Sequence, residues 1–381
     1  MIKFSTGANR IVTSTGIIED GFVNVSGNRV ESITGRPLHD LLDRFNADII
    51  MPGFIDIHTH GYFGIDAMKS SENDIHRWAS MIAGHGVTSF IPTCVSAPAD
   101  DLMNFLRKIN TVRSEQSPEE ARILGARSEG PYISGIKRGA HNRSYVRGIS
   151  MEEIQNLIKS SSGVLRIMDM APELEGFNEA MSLLQSSGTA VSAGHSGADY
   201  GTSMNAISSG VRLMTHFYNA MTQFDHRSPG MVGAGLLNSG VNLEIIADFH
   251  HVSREAIRIM SAMAGWNRII AITDSVPIGG TSDEESDLGG LMTEIHDGVA
   301  WIKGTDTIAG SVLTMDRAFS NILSLGVDLP DLVKAFSRNP AELLGLNDMG
   351  DIAPGKIADI NFLDSDMNII GTLIAGIPLK R

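Results

Sequence analysis

The sequence predicts an α/β fold: a (β/α)8 TIM-like barrel over residues 51–349, with a small β-sandwich domain formed by both chain ends, 1–50 and 350–381. Eight short β-like runs alternate with helix-periodic stretches through the middle of the chain, the pattern of a parallel sheet with crossover helices. Both ends instead carry short strands parted by glycine and asparagine turns, and neither has enough apolar surface to stand alone. The length of 381 residues suits one barrel of about 250 residues with a smaller companion.

The first 50 residues give β-like runs at 10–13, 21–25 and 29–33, with Gly27-Asn28 as a turn. The far end repeats this style, with a strand over 358–363 and turn points at Gly355 and Gly376. Between them the barrel strands are expected at 54–57, 87–92, 122–127, 164–171, 189–193, 211–215, 242–247 and 268–273. Apolar residues at helical spacing predict helices over 72–84, 101–114, 151–159, 174–186 and 254–266. Glycine- or acid-rich stretches at 134–148, 222–235 and 278–304 interrupt the scheme. Such loops after barrel strands grip substrates, although the acidic run Asp283-Glu284-Glu285 equally suits a solvated surface hairpin.

Composition excludes several classes. A formal charge of -14 argues against nucleic acid as partner, because phosphate-backbone affinity is built from Lys and Arg density. No apolar run approaches the roughly 20 residues that span a bilayer, and no secretory signal opens the chain, so no membrane association and a cytoplasmic location are expected. The single cysteine, Cys94, leaves no thiolate cluster, and any metal must rest on His, Asp and Glu.

The stretch MPGFIDIHTHG at 51–61 points to a metal. Side chains alternate along a strand, so His58 and His60 face the same way at its end. The third strand then ends in Glu129, the fifth in His195, the sixth in His216 and the eighth in Asp274. Any one could cap a strand, but six potential ligands at the same end of five barrel strands converge on one mouth, where barrel active sites lie.

This order of ligands resembles the amidohydrolase superfamily. The phrases PGFIDIHTHG, EGPYIS, KRGAHN, AGHS, THFYNAM, HRSPG, HHVS, ITDS and IAGSVLTM resemble its N-acetylglucosamine-6-phosphate deacetylase branch across essentially the whole chain. The resemblance implies a metal-dependent hydrolase that removes acetyl from an amino-sugar 6-phosphate. It implies that Glu129, His195 and His216 hold the principal ion, that His58 and His60 make a second ion plausible, and that Asp274 is general acid and base. The expected cofactor is one or two divalent ions per chain, Zn2+ first and Fe2+ or another divalent ion as alternatives. His141 is implied beside the substrate carbonyl. Ala140, Asn219, Ala220, Arg227, His251 and Ala309 fall at substrate positions, and Arg227 is implied to reach across a homodimer interface.

Two departures stand out. Arg127 replaces a histidine common in the family, and Ser275-Val276-Pro277 replace Ala-Met after the aspartate; both are expected beside the pocket, where they would bear on sugar choice. Alternative readings are action on N-acetylgalactosamine 6-phosphate, another amide or a cyclic imide, and a metal-free scaffold of the same fold.

Overall fold

The structure is a computed structural model and describes residues 3–42 and 45–379. The eight barrel strands are Phe54–Thr59, Val87–Cys94, Ala126–Glu129, Leu165–Met170, Ala190–Ala193, Leu213–Met214, Asn242–Ile246 and Ile269–Ile272. Each pairs in parallel with the next, in chain order. The expected third run is split: Arg122–Ile123 pairs with the second strand, and the chain then steps through Gly125 to Ala126–Glu129. The seam between eighth and first strands is closed by main-chain hydrogen bonds from Asp274 N to His58 O, 2.9 Å, and from His60 N to Ser275 O, 2.8 Å.

All five expected helices are present, with ends shifted by a few residues. Glu72–Ala83 shows why: Ser71 and Asp74 form a reciprocal capping box, and Ile75, Trp78, Ala79 and Ala83 are buried. Full burial of one large apolar side chain is worth about 1.5–3 kcal/mol, which outweighs the weak propensity of isolated turns. Further helices occupy Tyr200–Ser209, Gly230–Leu237, Met315–Leu323, Leu329–Val333 and Asn339–Leu343. No helix among the described residues is long and apolar enough to cross a membrane.

The strands of both chain ends lie in one seven-stranded sheet. Its order is Ile377–Pro378, Ile369–Ile374, Ile360–Leu363, Ile49–Pro52, Lys3–Thr13, Gly16–Ser26 and Arg29–Thr34. Phe4, Ile11, Val23, Val25, Val30, Ile50, Ile360 and Phe362 share a core of their own there. Ile49–Pro52 runs directly into the first barrel strand, so this sheet anchors the strand that carries His58 and His60.

The acid-rich stretch 278–304 is a three-stranded antiparallel sheet of Glu285–Leu288, Leu291–His296 and Val299–Ile302. It is antiparallel, as the hairpin reading expected, but it is packed rather than merely solvated: Leu288 and Ala300 form a small core with Val95, Val276, Ile278 and Ala309.

Candidate metal centre

The C-terminal ends of the strands bring His58, His60, Glu129, His195, His216 and Asp274 together, all buried. Glu129 is central. Its Oε1 lies 3.0 Å from Nε2 of His195 and 3.0 Å from Nε2 of His216, while Oε2 lies 3.1 Å from Nε2 of His60. Asp274 Oδ1 stands 3.1 Å from His60 Nε2 and 3.3 Å from His58 Nε2. The cluster thus has two halves that share Glu129: His195 with His216, and His58 with His60 and Asp274.

The backbone is strained at these positions. His195, His216 and Asp274 have φ of 47°, 26° and 48°, a region that non-glycine residues avoid and that recurs at functional sites. Gly194 makes room for the turn, since a Cβ there would fall 2.5 Å from Cβ of Thr215.

Hydrogen bonds on the far side of three of the four rings fix their tautomers. His195 Nδ1 faces the Lys137 carbonyl at 2.8 Å, His60 Nδ1 the Thr93 carbonyl at 3.1 Å, and His58 Nδ1 a Glu244 carboxylate oxygen at 3.3 Å. A carbonyl or carboxylate can only accept, so these nitrogens carry protons, and each of these rings in its neutral form turns an Nε2 lone pair inward. His216 Nδ1 is buried without a partner among the described residues.

His141 is the opposite case. Its Nδ1 accepts the Ser96 main-chain N–H at 3.1 Å, with Ser96 Oγ at 2.9 Å, so the neutral ring carries its proton on Nε2. Burial lowers its pKa and keeps it neutral. Glu129, His141 and His195 lie close enough to share an ion, but a ring whose Nδ1 lone pair is engaged has no lone pair at Nε2. His141 is a donor, 3.3 Å from Glu129 Oε2.

This donor set fits a divalent ion. Nε2 of His195 and Nε2 of His216 are 3.0 Å apart and both are 3.0 Å from a carboxylate oxygen. In a tetrahedral shell with bonds near 2.0–2.1 Å, neighbouring ligand atoms sit about 3.3 Å apart. Without a cation the carboxylates must be met by protons instead. Burial works to lower the pKa of His60, yet the carboxylates of Asp274 and Glu129 outweigh it and carry it up to about 9. Asp274 is held below the ordinary carboxylate range: burial would raise it, and His58 and His60 more than offset that.

A cavity of 420 Å³ opens onto the cluster, within the range of small-molecule sites. Of the sequence-predicted substrate residues, Ala140, His141, Asn219, Ala220 and His251 line it. His251 is oriented by Asp248, whose Oδ2 lies 2.7 Å from Nδ1. Ala309 is buried beside the cavity, between the lining residues Ile308 and Gly310. Arg227 is exposed on the loop after the sixth strand, is not among the residues that line this cavity, and has no ion pair among the described residues. Lys137, Leu288, Asp306 and Thr307 also line it and were not anticipated, although Lys137 stands in the phrase KRGAHN.

One expectation needs correction. Arg127 does not lie beside the pocket; it is wholly buried inside the barrel, below the cluster, paired with Asp169 and Glu244. Burial would lower its pKa, but the two carboxylates raise it, so it stays charged. Ser275 is likewise structural in its contacts, with Oγ 2.7 Å from Thr59 Oγ1 and 2.9 Å from Gly61 O across the seam.

A (β/α)8 barrel whose mouth gathers an HxH pair, a glutamate, two histidines and an aspartate in this order is an amidohydrolase. The chain belongs to the amidohydrolase family, whose model matches residues 49–378. Within the family it is 36% identical over 341 residues to N-acetylglucosamine-6-phosphate deacetylase of Bos taurus, covering 86% of this chain and 82% of that one. It is 33% identical over 371 residues to N-acetylgalactosamine-6-phosphate deacetylase of Escherichia coli O157:H7, covering 97% of both. Among solved structures, N-acetyl-D-glucosamine-6-phosphate deacetylase of Mycobacterium smegmatis, an aspartate-to-alanine mutant in complex with N-acetyl-D-glucosamine-6-phosphate, superposes with a TM-score of 0.93 at 30% identity over 100% of both chains.

Proposed function

We propose that this protein hydrolyses the acetamide of N-acetylglucosamine 6-phosphate, giving glucosamine 6-phosphate and acetate. The observation that carries the reading is Glu129 set between two pairs of inward-facing imidazoles at the floor of a sugar-sized cavity. The relatives named N-acetylglucosamine-6-phosphate deacetylase supply the substrate class.

Glu129, His195 and His216 would hold the principal ion, and His58 and His60 a second one beside Asp274. A divalent ion held there, which we take to be zinc, would make water a competent nucleophile at neutral pH and would polarise the amide carbonyl. Asp274 is deprotonated in the resting site and accepts the proton of the attacking water. It returns that proton to the nitrogen, so that the amine leaves neutral. His141 lines the cavity, and its Nε2–H, 3.3 Å from Glu129 Oε2, would donate to the carbonyl oxygen as negative charge develops there. Asn219, Ala220 and His251, which line the cavity, would hold the sugar phosphate, together with the Ala309 segment.

Arg227 supplies a planar fork for phosphate oxygens. Its exposure outside the cavity of its own chain supports contribution across a homodimer interface. The end strands 1–50 and 350–381 act as a separate anchoring domain for the catalytic barrel, and the enzyme works in the cytoplasm.

The match to the Escherichia coli relative favours a second reading, N-acetylgalactosamine 6-phosphate as substrate. Acetate release assayed over N-acetylhexosamine phosphates and their unphosphorylated forms separates the two. Preference for the galacto epimer selects the second reading, and equal rates on unphosphorylated sugars reject both.

A further inference from the structure

Barrel interiors are ordinarily filled by layers of branched apolar side chains. Directly below this cluster the layer is ionic instead. Arg127 Nε and Nη2 each donate at 2.8 Å to a different oxygen of Asp169, and Nη1 and Nη2 donate to the two oxygens of Glu244 at 2.5 and 3.1 Å. Nη1 also donates to the Ile57 carbonyl at 3.1 Å, and Thr215 Oγ1 donates to Asp169 at 2.6 Å. Every group in this layer is fully buried.

Such a layer is costly as packing alone. Removing ions from water costs several kcal/mol each, and buried ionic triads replaced by apolar residues of similar volume often leave a fold equally or more stable. Its upper face shows what else it does. Glu244 Oε2 lies 3.3 Å from Nδ1 of His58 and accepts the main-chain N–H of His216 at 3.1 Å. One carboxylate oxygen therefore touches a residue from each half of the cluster. Glu244 selects the His58 tautomer whose Nε2 faces inward, and it steadies His216, where the backbone is strained. Arg127 holds Glu244 from below through both carboxylate oxygens, and Asp169 holds Arg127.

We infer that Arg127 and Glu244 are positioning residues for the metal cluster, acting chiefly on His58 and so on the ion of the His58, His60 and Asp274 half. The inference rests on the reading of that half as an ion site. Residues that orient a metal-bound histidine typically change metal affinity about 10- to 100-fold when replaced.

The test uses an apolar triple variant, Arg127→Met with Asp169→Leu and Glu244→Met, beside Glu244→Gln. Metal-free full-length protein is titrated with Co2+ and followed by absorption, with Zn2+ competition against a chromophoric chelator and thermal unfolding of the same samples. The expected result is a folded triple variant, its unfolding midpoint unchanged or raised, that binds the second ion 10- to 100-fold more weakly and the first with a smaller change. Glu244→Gln should weaken the second ion in the same direction, and it decides the matter if the triple variant does not fold. Parental affinity for both ions in a folded variant overturns the inference, since the layer would then be packing alone. A parental protein that takes up no divalent ion refutes the metal reading itself, and the inference with it.

Discussion

Replacing His141 by alanine asks whether this ring donates or ligates. The Ser96 N–H on Nδ1 places the ring proton on Nε2, and burial keeps the ring neutral. A donor aimed at the developing oxyanion contributes in the transition state and little before it. Removal of one such donor lowers kcat by about 10²- to 10³-fold, or roughly 2.7–4 kcal/mol. KM should change little, and the ions bound per chain should not change. Ser96→Ala removes the Oγ at 2.9 Å but leaves the main-chain N–H in place. That is one ordinary hydrogen bond of about 0.5–1.5 kcal/mol, or roughly 2- to 13-fold. Steady-state acetate release from N-acetylglucosamine 6-phosphate, with metal analysis of the same samples, reads both. An ion lost in step with activity in His141→Ala would show the ring to be a ligand and refute the tautomer assignment.

Asp274→Asn should lower kcat by about 10²- to 10⁴-fold while the ion of Glu129, His195 and His216 stays bound, and near-normal turnover of metal-replete variant would contradict its role. Arg227→Ala should weaken kcat/KM for the phosphorylated sugar by about 1.5–3 kcal/mol, roughly 10- to 150-fold, and spare the unphosphorylated one. Mixing Arg227→Ala with Asp274→Asn chains should partly restore activity if the arginine crosses the interface, and no recovery after verified exchange places it within its own chain. In the metal-free protein His60 keeps its proton to about pH 9, against an ordinary 6.5. Its contribution to metal-free stability is therefore complete below pH 6.5 and is lost as pH rises through 9. Ion binding at pH 7 should accordingly release protons, seen by calorimetry in buffers of different ionisation enthalpy; binding without release contradicts it. Cys94 is buried and its thiol is pushed up to about 12, chiefly by burial, so the folded protein should resist thiol reagents that label the unfolded chain at once. Rapid labelling of native protein would contradict that.

The strands and the polar residues that gather at their ends were legible because they rest on local signals. An apolar run closed by a polar residue gives both a strand and the residue at its end, as in Phe54–Thr59 followed by His60. The helix Gly230–Leu237 was hidden because GMVGAGLL is rich in glycine and has no polar face; it forms because it is buried. The stretch 278–304 left two readings open, since the burial of Leu288 and Ala300 depends on Val95 and Ala309, which are distant in sequence. Arg127 was the clearest miss. Its partners Asp169 and Glu244 lie 42 and 117 residues away, and only the closed barrel shows that three charges within apolar strands meet one another.

The shared sheet of the chain ends also sets a schedule for the ribosome. Ile49–Pro52 is flanked on one side by Lys3–Thr13, available almost at once, and on the other by Ile360–Leu363, roughly 300 residues later. At about 5–20 residues per second that edge stays unpaired for roughly 15–60 s of synthesis, long after the first barrel strand beside it has emerged. An open edge next to an apolar strand is a template for pairing with other chains. Ile360–Leu363 therefore closes the edge that Ile49–Pro52 leaves open, and a chain released before that strand is made would carry its barrel with a sticky side.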